Sequence, residues 1–177
     1  YYTVLKCMCK YQRFISTPYP DWSYEPITGK NAEECFQMAL EWRNENGCEE
    51  DLEKNAEMCV TLNFLRLFQE LRMKGGLIRV EGKVVAFCVG EPVCEDTFVV
   101  HVEKAFAEVE GAYPMINQQF VQHECMEYQY VNREEDTGAE GLRKSKLSYH
   151  PAFLVEKGIV TRKAYPRASH YSHSAVS

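Results

Sequence analysis

A strand, five polar residues, a glycine turn and a basic helix follow one another between Tyr130 and Pro151. Residues 128–131 have the tyrosines and valine of a short strand, and residues 132–136 are Asn-Arg-Glu-Glu-Asp. Gly138 supplies the turn before a helix that is rich in lysine and arginine. In α/β proteins, a strand that ends in polar residues before a helix places functional groups at the carboxyl edge of a sheet. We therefore expect the functional site at this edge.

Periodic apolar residues predict the remaining elements. A capping box of Asn31 and Glu34 begins the first helix. Glu81-Gly82 joins two strands as a tight hairpin, and Pro114 lies in the first turn of a later helix. The predicted strands cover residues 22–27, 77–80, 84–89, 96–102, 128–132 and 153–162, and the predicted helices cover residues 31–46, 50–74, 114–124 and 140–148.

The long helix predicted over residues 50–74 has one broad apolar stripe at helical spacing. Its members are Leu52, Ala56, Cys59, Val60, Phe64, Leu67, Phe68 and Leu71. Gly75-Gly76 ends the helix with residues that tolerate positive φ. We expect this stripe to face the core.

The length and the charge of the chain limit its architecture and its partners. A chain of 177 residues fits one domain, and a domain of that size buries roughly 70% of the surface of its unfolded chain. The net charge is −6, but residues 133–177 carry 8 basic and 5 acidic side chains, against 12 and 21 in residues 1–132. Affinity for nucleic acid depends mainly on basic side chains that neutralise phosphates. Because this chain is acidic overall, we expect no DNA partner. The local basic surface is compatible with one phosphorylated ligand.

The eight cysteines are scattered and form no CxxC pair. This pattern is typical of reduced, buried cysteines rather than of a disulfide framework or a zinc site, and it predicts a cytoplasmic protein without a metal. His170 and His173 lie in a polar tail over residues 164–177 that we expect to be disordered, and we interpret both as solvated. No apolar run reaches the roughly 18 residues of a membrane-spanning helix, and no signal peptide is visible.

The polar stretch and the helix after it contain a long, ordered motif. It consists of Asn132-Arg133-Glu134-Glu135-Asp136, Gly138, Gly141-Leu142-Arg143, Lys146, Ser148-Tyr149 and Pro151. This motif closely resembles the C-terminal signature of the phosphatidylglycerol lysyltransferase C-terminal-domain family. The resemblance implies a GNAT-type acyltransferase fold, an α+β arrangement in which helices flank a mixed central sheet. The predicted order of elements, β-α-α-β-β-β-α-β-α-β, agrees with that layout.

The resemblance also sets the expected domain boundaries. It extends from Trp22 to Lys163, so we expect a GNAT-like domain over residues 21–163. Residues 1–20 are expected to be a linker or a strand left from a preceding half. Because the chain begins at Tyr1 rather than at a methionine, and because family members often carry the fold twice, we expect a fragment. A second GNAT-like domain of the parent chain would then be one partner.

In GNAT-type folds two strands splay apart and the acyl donor lies between them, which here implies residues 96–102 and 128–132. The polar groups at the ends of these strands are His101, Glu103, Lys104, Asn132, Arg133, Glu134, Glu135 and Asp136. Acyl transfer needs a base for the proton of the nucleophile and a hydrogen-bond donor for the oxyanion. We expect Glu103 or Glu134 as the base. Arg133 or Asn132 is the expected clamp for a carbonyl or a phosphate.

Several of these residues have a structural alternative. Glu134, Glu135 and Asp136 would also suit the start of the next helix, where negative charge is favourable. Glu103 and Lys104 would also form a surface ion pair of little energetic value. We assign substrate binding to Glu91, Lys104, Asp136, Arg143, Lys146 and Tyr149.

Arg143 and Lys146 share a helix face, since they are three residues apart. They predict a two-charge clamp for a phosphate or for the 3′ end of aminoacyl-tRNA. Ordinary solvated helix charge is the alternative. Tyr149 is expected to anchor this helix against the sheet, and Glu91 either faces the same cleft or lies in an exposed turn.

The loop after residues 96–102 departs from that of CoA-dependent enzymes. Those enzymes have an Arg/Gln-x-x-Gly-x-Gly/Ala loop whose backbone amides bind the pyrophosphate. Residues 104–114 are KAFAEVEGAYP, with one glycine, two glutamates and a proline that lacks the amide. Acyl-CoA is therefore unsupported, no cofactor is predicted, and aminoacyl-tRNA is favoured as the donor.

Three functions stay open on the sequence. The leading one is transfer of an aminoacyl group from aminoacyl-tRNA to a lipid headgroup or to another amine or hydroxyl acceptor. The second is a non-catalytic binding or scaffolding half of a tandem protein, which would expose an apolar patch and self-associate. The third is a CoA-dependent N-acetyltransferase, which acetyl-CoA would stabilise against unfolding.

Overall fold

The structure, a computed structural model, describes residues 2–6, 19–135, 140–156, 158, 160 and 161. Its seven strands form one sheet in the order β2-β3-β4-β5-β6-β1-β7. The strands are β1 Tyr2–Lys6, β2 Trp22–Pro26, β3 Lys74–Val80, β4 Lys83–Pro92, β5 Thr97–Ala105, β6 Tyr130–Glu135 and β7 Phe153–Val155. The helices are α1 Ala32–Glu45, α2 Leu52–Arg66, α3 Ala112–Glu124 and α4 Glu140–Leu147. From β2 onward, the order of elements is the predicted one.

The centre of the sheet is apolar on both faces. β4 is continuously buried over residues 84–90, which is typical of a strand covered by helices on both sides. The predicted hairpin between β3 and β4 is confirmed, with φ of 51° at Glu81 and 79° at Gly82. All strand pairs are antiparallel except β5 and β6, which run parallel. The sheet is therefore mixed, as expected.

Neighbouring residues of β5 show which helices cover which face. Lys104 bonds to Glu57 of α2 and lies against Trp42 of α1, whereas the Glu103 carboxylate accepts a hydrogen bond from Asn117 of α3. Successive side chains of a strand point to opposite faces. The sheet therefore has an α2 side, covered by α1 and α2, and an α3 side, covered by α3.

The predicted apolar stripe of the second helix is wrong. α2 ends at Arg66, and its buried residues are Met58, Thr61 and Leu65. Leu52 and Val60, both of the predicted stripe, are 87% and 51% exposed. The helix has apolar residues on two faces, and the face that contains Met58 and Leu65 is the buried one.

The predicted capping box is also wrong. The Asn31 side chain turns away from the helix, accepts a hydrogen bond from the Thr28 amide at 2.7 Å and donates to the Pro26 carbonyl at 3.1 Å. Glu34 instead accepts hydrogen bonds from the Arg79 guanidinium of β3. The preceding turn therefore takes the Asn31 side chain, and a residue of β3 takes that of Glu34.

The ends of the chain complete the sheet. Residues 1–20 were expected to be a linker or a strand, and residues 2–6 form a strand, β1, inside the sheet between β6 and β7. β7 ends at Val155, whereas the prediction extends to residue 162. The predicted disordered tail over residues 164–177 lies outside the described residues. None of the helices in the described ranges is long and apolar enough to cross a membrane.

Candidate functional site

The parallel pairing of β5 and β6 stops part-way along both strands. The pairs run from Thr97–Tyr130 to Val99–Asn132. β5 then continues to Ala105 and β6 to Glu135, with no further pair between them in the described part of the chain. We call the space between these unpaired ends the β5–β6 gap. The family resemblance implies that the acyl donor lies here.

Both strands are irregular beside the gap. In β5, Val100 pairs with Gly90 and Val102 with Val89, which leaves His101 as an extra residue in a β-bulge. β6 has its own shift in register against β1, and Glu134 adopts a left-handed φ of 54°. Bulges redirect side chains and are common next to active sites. These two irregularities determine which side chains cross the gap.

On the α3 side, a buried ion pair crosses the gap. Arg133 Nη2 donates to both carboxylate oxygens of Glu103, at 2.7 and 2.8 Å. Asn117 Nδ2 donates to the same carboxylate at 3.1 Å. Arg133 and Glu103 are both predicted site residues, whereas Asn117 was missed. Its only sequence signal is a polar residue on the buried face of α3.

The guanidinium of Arg133 does not use all of its hydrogen-bond donors. Its side chain is buried, yet Nη1 has no hydrogen-bond partner among the described residues. The guanidinium carbon lies 4.8 Å from the centre of the Tyr149 ring, so Tyr149 does anchor the end of α4 against the sheet. Burial raises the pKa of the Tyr149 phenol, and the positive charge of Arg133 opposes that rise. A buried, unpartnered donor is rare and calls for an explanation.

On the α2 side, a histidine bridges two carboxylates. Glu134 Oε1 lies 2.7 Å from His101 Nδ1, and Glu91 Oε1 lies 3.1 Å from Nε2. Asn132 fixes this arrangement, because its side-chain oxygen accepts a hydrogen bond from the Glu134 amide at 2.8 Å. Glu91, Asn132 and Glu134 were predicted as site residues. His101 was named among the groups of the gap but was given no role, since the bulge that turns it toward both carboxylates leaves no mark in the sequence.

Lys104 is not brought to this group. Its side chain is buried on the α2 side, where the ammonium bonds to Glu57 and lies 4.0 Å from the centre of the Trp42 ring. Its neighbour Glu103 points to the other face. The alternative of a surface ion pair between Glu103 and Lys104 is therefore wrong, because each side chain has a different partner.

Lys146 and Arg143 differ in exposure although they belong to one helix. Lys146 is buried, and its ammonium donates to the carbonyls of Arg133 and Glu135, both at 2.6 Å, and of Glu134 at 3.3 Å. Arg143 is exposed. A two-charge clamp would require Lys146 to leave these carbonyls, so the clamp stays a prediction. Asp136, the remaining predicted residue, lies outside the described residues.

The arrangement provides acid–base groups and a cation but no evident metal site. Within the described ranges, no group of three histidine, cysteine or acidic residues is placed to hold a metal ion. A buried guanidinium with a free donor suits a carbonyl or phosphate oxygen. A histidine between carboxylates suits proton transfer. Together these are the groups that transfer of an acyl group requires.

Comparison with known proteins identifies the family. The family model described as phosphatidylglycerol lysyltransferase, C-terminal, matches residues 9–160. A conserved protein of unknown function from Bacteroides thetaiotaomicron is 37% identical, with a TM-score of 0.80 over 86% of this chain and 56% of that chain. No curated protein matches the chain.

Two more distant structures agree on the fold. The C-terminal domain (DUF2156) of a protein described as a lysylphosphatidylglycerol synthetase from Agrobacterium fabrum is 11% identical, with a TM-score of 0.56 over 85% of this chain and 55% of that chain. A tandem GNAT protein from the clavulanic acid biosynthesis pathway is 10% identical, with a TM-score of 0.52 over 84% of this chain and 48% of that chain. The chain thus spans only about half the length of these relatives. It belongs to the phosphatidylglycerol lysyltransferase C-terminal family and has the GNAT fold.

Proposed function

We propose that this domain transfers an acyl group within the β5–β6 gap, and that the donor is an aminoacyl ester such as the 3′ end of aminoacyl-tRNA. The observation that carries the proposal is the buried Arg133 guanidinium, which stands in the gap with Nη1 unpartnered among the described residues. Family membership supports transfer chemistry, but fold alone does not define a reaction. The acceptor is an amine or a hydroxyl.

Arg133 would stabilise the charge that develops on the donor. When an acceptor attacks the ester carbonyl, the carbonyl oxygen becomes an oxyanion that needs a fixed donor. Glu103 holds the guanidinium through Nη2, and Asn117 holds Glu103, so Nη1 is oriented before the substrate arrives. Glu103 is then a positioning residue rather than the base, because Arg133 and Asn117 already occupy its carboxylate.

The loop between β5 and α3 favours a donor other than acyl-CoA. Gly111 precedes α3 with a left-handed φ of 79°, but the loop before it has carboxylates at Glu108 and Glu110. A pyrophosphate would meet negative charge where CoA-dependent enzymes offer amides. An aminoacyl ester has no pyrophosphate, so this loop does not exclude it.

The reaction balances without a further co-reactant. The acceptor nitrogen or oxygen forms a bond to the ester carbonyl carbon, and the bond between that carbon and the ribose oxygen breaks. The proton of the acceptor passes to a base of the site and then to the leaving 3′ oxygen. The products are the aminoacylated acceptor and uncharged tRNA.

The test is transfer by the purified chain from radiolabelled lysyl-tRNA or alanyl-tRNA, with acetyl-CoA as an alternative donor. Vesicles containing phosphatidylglycerol and soluble spermidine serve as hydroxyl and amine acceptors. We expect transfer from aminoacyl-tRNA, and Arg133→Lys should reduce the rate about 10²- to 10³-fold because it removes the planar fork. Absence of transfer from every donor by a folded protein would exclude the proposal. Transfer from acetyl-CoA alone would show that acyl-CoA, rather than aminoacyl-tRNA, is the donor.

A second candidate, a binding half that packs against a partner domain, is favoured by the outer face of α2. Leu52, Val60, Leu67 and Leu71 are between 42% and 87% exposed along this helix and the turn after it. Soluble domains seldom expose several large apolar side chains in a row without a partner. If this is the function, the chain self-associates at high concentration in sedimentation velocity, and Leu52→Gln with Val60→Gln restores a monomer. A monodisperse wild-type monomer would argue against it.

A further inference from the structure

Three neighbouring strands each contribute one residue to the cluster on the α2 side of the gap. Glu91 lies near the end of β4, His101 in the bulge of β5 and Glu134 near the end of β6. Both ring nitrogens of His101 face a carboxylate oxygen, at 2.7 and 3.1 Å. The imidazole also stacks on Phe64 of α2, with ring centres 5.3 Å apart. The orientation of the ring is thus fixed from three directions.

Packing requirements do not explain this cluster. The side chains of Glu91 and Glu134 are 43% and 38% exposed, and that of His101 is 20% exposed. The cluster is therefore accessible from solvent. It also depends on two backbone irregularities, the β5 bulge and the left-handed Glu134. Such irregularities cost free energy and are found where a function requires them.

We propose that His101 is the proton acceptor of the site and that Glu134 and Glu91 are its positioning residues. This inference rests on the transfer function proposed above. In this proposal Nδ1, which has the shorter contact, carries the proton that His101 keeps and donates it to the Glu134 carboxylate. Nε2 is the nitrogen that takes the proton, after the more exposed Glu91 side chain gives up its longer contact and the acceptor takes its place.

The step then runs as follows. The acceptor N–H or O–H approaches Nε2, its proton moves to that nitrogen, and the freed electron pair forms the bond to the ester carbonyl carbon. The imidazolium is held between two carboxylates, which stabilise its positive charge. When the carbon–oxygen bond of the ester breaks, Nε2 returns the proton to the leaving 3′ oxygen. His101 is neutral again at the end of the step.

The surroundings of the ring set the pH range of the step. The hydrogen bond to Glu134 raises the pKa of His101, burial opposes that rise, and the hydrogen bond to Glu91 adds to it. Glu134 on β6 and Glu91 on β4 are the charged groups that face the ring in the described part of the chain, and α2 contributes the uncharged Phe64. A base must be neutral to act, so the rate is expected to rise as pH increases through this elevated pKa.

The first measurement is the pKa of His101 from the ring nitrogen and carbon signals in NMR. We expect a value above the usual 6.5 or so of histidine, and Glu134→Gln should lower it more than Glu91→Gln does. The second measurement is the pH dependence of kcat/KM for transfer from lysyl-tRNA. The pKa that limits kcat/KM should equal the pKa of His101 from NMR. Both pKa values should shift together in Glu134→Gln and in Glu91→Gln.

His101→Gln should reduce the rate of transfer about 10²- to 10⁴-fold and remove the His101 ionisation from the pH profile of kcat/KM. The thermal midpoint of unfolding checks that the variant is folded. His123→Gln is the matched control, since His123 lies on α3 and stacks on Tyr24 away from the gap. If the wild type transfers and His101→Gln keeps its rate and pH profile, the inference about His101 fails alone. If the wild type transfers nothing from any donor while His101 titrates as expected, the proposed function fails and the catalytic role with it.

Discussion

Arg133 reaches across the β5–β6 gap to Glu103, with Nη2 2.7 and 2.8 Å from the two carboxylate oxygens. Removal of one member of a buried ion pair leaves the other uncompensated and costs about 3–5 kcal/mol. We expect Glu103→Leu to lower the free energy of unfolding in urea by that amount. The double variant Glu103→Leu with Arg133→Met should recover much of the loss. A loss below about 1 kcal/mol for the single variant would mean that water already reaches the pair.

Lys146 holds the end of β6 through three backbone carbonyls. In Lys146→Met these buried acceptors lose a charged donor, and an unsatisfied buried group costs about 1–3 kcal/mol. We expect a loss of stability in that range, measured by urea denaturation. Lys144→Met, on an exposed position of the same helix, should change stability by less than about 0.5 kcal/mol. Equal effects of the two substitutions would contradict a specific role for Lys146.

Gly90 is required beside the β5 bulge. A Cβ at this position would lie 2.1 Å from the Val99 carbonyl oxygen, so the backbone would have to move. We expect Gly90→Ala to destabilise the protein by about 1–3 kcal/mol and to disturb the His101 signals in NMR. Gly141→Ala is the contrasting substitution, because nothing lies within 4 Å of its Cβ and alanine is about 0.5–1 kcal/mol better in a helix.

The contribution of His101 to stability should depend on pH with a defined sign. Its pKa is raised in the folded state, chiefly by the hydrogen bond to Glu134. Such a group stabilises the fold fully below its unfolded pKa, near 6.5, and this contribution disappears as pH rises through the folded pKa. The difference in unfolding free energy between wild type and His101→Gln should therefore shrink as pH rises from about 6 to about 9. This range begins near the unfolded pKa and extends above it. A difference that grows with pH would show that His101 is neutral in the fold.

The elements of the fold were predictable because most of them have local signals. The Glu81-Gly82 hairpin and the strand over residues 84–89 are confirmed, and the family resemblance is confirmed over residues 9–160. The stripe of α2 was not predictable, since Leu52 and Met58 belong to two apolar faces and only tertiary packing selects one. Asn31 failed as a cap because Thr28 and Pro26 compete for its side chain.

The candidate site was predictable by residue type but not by geometry. The family resemblance implied that Glu103 and Arg133 lie at the ends of neighbouring strands, and the two side chains do meet. Spacing along the chain could not show that the β5 bulge brings His101 between Glu91 and Glu134, because a bulge depends on pairing with another strand. Nor could it show that Lys146 bonds to carbonyls of β6, since the relevant contacts are to backbone atoms that every residue has.

The position of β1 has a consequence for the order of folding. Leu5 pairs with Val131 of β6, and Thr3 pairs with Leu154 of β7. Both neighbours of β1 in the sheet therefore come from segments far later in the chain. Contacts of such large sequence separation form slowly, because the intervening loop must close first. We expect the antiparallel meander of β3, β4 and β5 to form early, while β6, β1 and β7 assemble last. The β5–β6 gap is then completed at the final stage of folding. We expect the backbone amides of β6, β1 and β7 to exchange hydrogen faster than those of β3, β4 and β5.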